Sequence, residues 1–78
     1  MRQKEWKLII TFNTTSDAIA FEKACKENGK SGRMIPVPRE LSAGCGLAWC
    51  TLPADRAEME EFLHTQNICS EEIAELLY

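Results

Sequence analysis

No apolar run in this chain exceeds a few residues. That is far short of the ~20 a membrane-spanning helix needs. The opening stretch MRQKEWKLIITF has charges and then a short strand-like run, with neither a signal-length apolar region nor a small-residue cleavage site. A secretory leader is therefore not expected, and the cytoplasm is. Histidine occurs once, at His64, and no Ser-His-Asp set, phosphate-binding Gly loop or dinucleotide fingerprint is visible. Cysteine spacing offers no C-x-x-C pair, so no metal is expected, and no cofactor. A basic stripe interleaved with aromatics is absent and the net charge is -3, which argues against nucleic acid as a partner. Repeats, linkers and low-complexity segments are missing too. The chain reads as one small domain, residues 1–78, with no enzyme constellation.

Four cysteines are present: Cys25, Cys45, Cys50 and Cys69. Without a leader, reduced thiols are the default. Apolar residues recur throughout, so a core forms without disulfides. WKLIITF (Trp6 to Phe12) is β-branched and almost continuously apolar, as a central strand is. TSDAIAFEKACKENG reads as a helix, with Thr15 or Ser16 as N-cap, Asp17 near the positive helix end and Gly29 just past the C-terminus. Its apolar stripe is Ala18, Phe21, Ala24 (or Cys25) and Asn28. Met34, Ile35 and Val37 suggest a second strand, which Pro36 and Pro38 confine to a sheet edge. CGLAWCTL (Cys45 to Leu52) reads as a third strand, with Leu47 and Trp49 on one face and Ala48 and Cys50 on the other. PADRAEMEEFLHTQN reads as a second helix, with Met59, Phe62, Leu63 and Gln66 inward and Glu58, Glu60 and Glu61 on a solvated face. The tail ICSEEIAELLY favours helix on local propensity, yet a strand from Ile73 to Tyr78 completes a βαββαβ order. That order defines a ferredoxin-like α+β fold: one antiparallel sheet with two helices on one face. The other face then needs water, a ligand or another subunit, so self-association into a homo-oligomer is expected.

The segment IPVPRELSAGCGLAW, with TF…T…DAIAFEKACKENG…GRM upstream, resembles the small selenium/sulfur carrier-like family over about Lys7 to Leu52. Some members of that family occur beside, or fused to, sulfurtransferase-like carrier domains and selenium-metabolism proteins. The resemblance implies a strand at the tail. Arg33 matches the family's basic position after the first helix, Pro36, Pro38 and Arg39 match its Pro-x-Pro-Arg segment, and Ser42, Cys45 and Gly46 match its turn. The chain departs from the pattern at Cys50, where a basic or neutral residue is expected.

The chemistry of these residues agrees with that resemblance. A sulfur or selenium carrier needs an accessible thiolate, and a free Cys titrates near ~8.5 unless cations or backbone N–H groups pull it down. Arg33 and Arg39 supply charge. Ser42, Ala43, Gly44 and Gly46 let several N–H groups converge on one anion. Cys45 is thus the candidate carrier thiol, holding a persulfide or selenosulfide. Arg33, Arg39, Ser42, Gly44 and Gly46 are the candidate binding residues. A cysteine desulfurase or sulfurtransferase-like protein is the expected partner. The same loop, Arg39 to Gly46, also suits non-covalent binding of a small anion or metabolite, and a tight turn around a buried, inert Cys is the plainest alternative. A Cys45–Cys50 disulfide is disfavoured, because five residues of extended strand place the side chains on opposite faces about 16 Å apart. Cys25 falls on the inward helix stripe, Cys69 in a surface turn, and His64 at a solvated helix end. Trp49 is expected in the core or an interface, and Trp6 over a sheet end.

Overall fold

The protein is represented by a computed structural model that describes residues 4–41 and 46–78. Its elements run β1 (Trp6–Thr11), α1 (Thr15–Glu27), β2 (Arg33–Pro36), β3 (Leu47–Thr51), a 3-10 turn (Pro53–Asp55), α2 (Arg56–Thr65) and β4 (Glu72–Leu77). The strands form one antiparallel sheet in the order β2-β3-β1-β4. This is the ferredoxin-like arrangement, with the apolar β1 in the interior and proline-bearing β2 at an edge, where the missing N–H costs no ladder bond.

Helix α1 starts one residue earlier than its sequence suggests. Thr14, and not Thr15 or Ser16, is the N-cap, and its side chain accepts from the Asp17 N–H at 3.1 Å. Both helices end in the same way. Lys30 N–H donates to Cys25 C=O across Gly29 at φ +66, and Ile68 N–H donates to Leu63 C=O across Asn67 at φ +57. These left-handed residues turn the chain back toward the sheet while satisfying terminal carbonyls. Asn28 therefore caps α1 from the surface, its amide donating to Ala24 C=O at 2.8 Å, and is not part of the stripe. Gln66 is likewise exposed, as the C-cap of α2.

The tail is a strand. Trp6↔Leu77 through Thr11↔Glu72 pair β4 with β1 along its whole length, and a mutual Glu5–Tyr78 backbone pair extends the ladder. Local helix propensity of a few tenths of a kcal/mol per residue is small against six residues of ladder and burial.

Alternation along the strands separates two clusters. Leu8, Ile10 and Trp49 pack under the helices with Phe12, Ala18, Phe21, Ala24, Cys25, Met59, Phe62 and Leu63. Ile9 points the other way, with Ile35, Ala48 and Cys50. Val37, Leu41, Leu76 and Tyr78 pack against that second group, so this face is covered in good part by the chain itself. Trp6 stands 60% exposed at the strand start. Among the described residues, no helix is long and apolar enough to cross a membrane.

Candidate functional site

The connection between β2 and β3 is a hairpin loop whose base is well defined. Val37 N–H donates to Gly46 C=O at 3.1 Å, extending the ladder one step past Pro36↔Leu47. Inside that base, Leu41 N–H donates to Pro38 C=O at 3.0 Å, which closes a turn over Arg39 and Glu40. The proline fixes φ at the start of this turn. Leu41 then drops onto the sheet beside Ile35 and Val37. The far limb of the loop enters β3 through Gly46 at φ +75, a left-handed conformation that glycine adopts without strain. Ser42, Ala43, Gly44 and Cys45 lie outside the described residues.

Arg39 is exposed on this turn and makes no ion pair among the described residues. Arg33 is also exposed and without an ion pair there, but the register sets it directly opposite Cys50. It is thus at the far end of β3 from Gly46, four residues or about 13 Å of strand away. Arg39 and Gly46 belong to the loop; Arg33 belongs to a separate feature.

That feature is a cleft of about 300 Å³ at the sheet margin, lined among others by Lys7, Gly32, Arg33, Cys50 and Leu52. Arg33↔Cys50↔Ile9 form one cross-strand row on the loop-covered face. Lys7 lies two residues from Ile9 and so shares that face. Gly32, at φ +116, lets β2 lie close to β3: a Cβ there would stand 2.5 Å from Trp49 Nε1 and 2.6 Å from Cys50 O. Sequence reasoning passed over Lys7, although a lone charge inside WKLIITF was a visible signal, and weighed Cys50 chiefly as a disulfide partner.

The remaining cysteines are separate from both features. Cys25 is fully buried under α1, and burial pushes its thiol up to about 11, with Lys30 lowering and Glu58 raising it to lesser degrees. Cys69 is exposed before β4. His64 is exposed in the last turn of α2.

The fold and the hairpin define the class: a small ferredoxin-like α+β domain whose Pro-x-Pro-Arg connection enters β3 through Gly46. Within it, the sequence model of the family described as putative Se/S carrier protein-like matches residues 7–75, and the chain belongs to that family. No curated protein matches the chain significantly. Nor does any solved structure.

Proposed function

We propose that this domain carries sulfur or selenium on Cys45 as a persulfide or selenosulfide. The observation that carries the reading is the family match over residues 7–75, which includes the Pro36-to-Gly46 segment. The hairpin base supports it. Val37 and Gly46 clamp the two ends of the loop, and Arg39 offers an exposed guanidinium on it. In loading, the Cys45 thiolate attacks the terminal sulfur of a persulfide on a cysteine desulfurase or sulfurtransferase-like partner. The donor cysteine leaves as a thiolate with the bonding electron pair, so no oxidant is consumed. Delivery repeats the exchange toward an acceptor thiol.

The test is intact mass of the reduced protein after incubation with a cysteine desulfurase and cysteine, with peptide mapping. A one-sulfur gain confined to Cys45, lost in Cys45→Ser, is expected. No gain, or gain spread evenly over the other cysteines, defeats it. In that case the exposed guanidinium of Arg39 favours the second reading, a loop that binds a small anion or metabolite without covalent chemistry. Arg39→Ala then abolishes ligand binding while Cys45→Ser does not.

A further inference from the structure

We propose that the cleft around Cys50 is a second, small-molecule loading site, taking a sulfur donor of the thiosulfate class. Its dianionic end sits between Lys7 and Arg33, and its sulfane sulfur is transferred to Cys50. The choice of a sulfur donor rests on the carrier reading above; the anion site itself rests on the geometry.

Three observations converge. Arg33 and Cys50 are directly opposed across the antiparallel β2–β3 pair, which places their Cβ atoms about 4.5–5.5 Å apart. Lys7 is on the next row of the same face, diagonal to Cys50 and within reach of a long side chain. All three line one cleft of about 300 Å³, ample for a small dianion with part of its water. Among the described residues, Arg33 makes no ion pair and Lys7 pairs with the exposed Glu5 at 3.4 Å, a surface pair that a bound dianion readily outcompetes. Two cations match a dianion in charge, and Arg33 matches a planar pair of oxygens in shape. Cys50 is 4% exposed, so a protein donor's active site has poor access to it, and a small ion held in the cleft meets the thiol as the cover of Val37, Leu41, Leu76 and Tyr78 opens locally.

The exchange balances without a redox partner. The Cys50 thiolate attacks the sulfane sulfur. The new bond is Sγ–S, the bond broken joins the sulfane sulfur to the sulfonate sulfur, and sulfite leaves with the electron pair. The thiol proton goes to solvent. Cations at both sides favour the attacking thiolate and stabilise charge moving onto the departing sulfite.

The experiment uses the full chain, reduced and freed of reductant, incubated with thiosulfate and read by intact mass and peptide mapping. A one-sulfur adduct at Cys50 is expected in the wild type and equally in Cys45→Ser, and is absent in Cys50→Ala. The double variant Lys7→Ala/Arg33→Ala, whose side chains are not in the core, loads about tenfold or more slowly, and Arg33→Lys recovers part of the rate. No adduct, an adduct confined to Cys45 or Cys69, or a rate unaltered in the double variant overturns the proposal. Desulfurase-driven loading of Cys45 in the Cys50→Ala protein tests the carrier reading separately, so each idea can fail alone.

Discussion

The two faces of the sheet are both buried, but by different means. Under the helices, Phe21 sits at the centre of a ring cluster, 5.4 Å from Phe12, 5.7 Å from Trp49 and 5.8 Å from Phe62 between centroids. On the other face, aliphatic and small residues, Ile9, Ile35, Ala48 and Cys50, are packed by half-buried Val37, Leu41, Leu76 and Tyr78. One face is closed by two regular elements held by helix caps. The other is closed by a hairpin connection with two prolines and by the end of the chain's last strand. Cover of the second kind opens at lower free energy than the core beneath the helices. The residues with chemistry, Arg33, Arg39, Gly46 and Cys50, all belong to this second side or its margin. Stability is concentrated on one face and access on the other.

The largest expected effect breaks the helix-covered face. Phe21→Ala removes the ring shared by three aromatic contacts and costs about 3–5 kcal/mol, most of the stability of a domain this small. Leu41→Ala, half-buried on the loop-covered face, costs only about 1 kcal/mol. Urea denaturation followed by circular dichroism measures both. Equal losses would show that the loop-side cluster is as integral to the fold as the aromatic one.

Much of this division was legible beforehand. Leu47 and Trp49 against Ala48 and Cys50 followed from strand alternation, and β2 at an edge followed from Pro36. The βαββαβ order needed the last strand, and there the residues Glu71 to Leu76 argued for helix. Pairing with β1 decided it, and pairing partners distant in sequence are invisible to local propensity. The faces of β1 were legible only as alternatives, because a strand buried on both sides has no polar alternation to fix its orientation. The structure places Ile9 on the face opposite Trp49. The arginines were read as one set because they flank the same segment. Register separates them, and register is set across strands.

A smaller effect sharpens the comparison where the two faces meet. Gly32 is in contact with both: its missing Cβ leaves room for Trp49 of the helix-covered face and for the backbone of Cys50 beside the cleft. Trp49 Nε1 donates to Ser31 C=O at 3.2 Å, fastening the segment just ahead of Gly32. Gly32→Ala is strained twice, by φ +116 and by the close approach of backbone that cannot rotate away. A loss of about 2 kcal/mol is expected, together with slower thiosulfate loading of Cys50. Unchanged stability would mean that β2 shifts outward freely, and the cleft would then be defined less tightly than the register implies.

The smallest effect contrasts a buried thiol, Cys25, with an exposed one, Cys69. Cys25 is enclosed under α1, and burial holds its proton to about pH 11, whereas an unperturbed thiol releases it near 9.0. Below pH 9 the folded and unfolded thiols are both protonated, and the benefit of burying a neutral Cys is complete. Between pH 9 and about 11 only the unfolded chain loses the proton, so stability falls as pH rises. The loss assigned to Cys25 is on the order of 1–2 kcal/mol. It is read as the difference between wild type and Cys25→Ala in denaturation at several pH values, which cancels contributions common to both proteins. Alkylation should follow the same order, with Cys25 far slower than exposed Cys69 at neutral pH because attack requires the thiolate and an opening of the core. If Cys25 alkylates as fast as Cys69, the helix-covered face opens readily, and the assignment of stability to one face and access to the other does not hold.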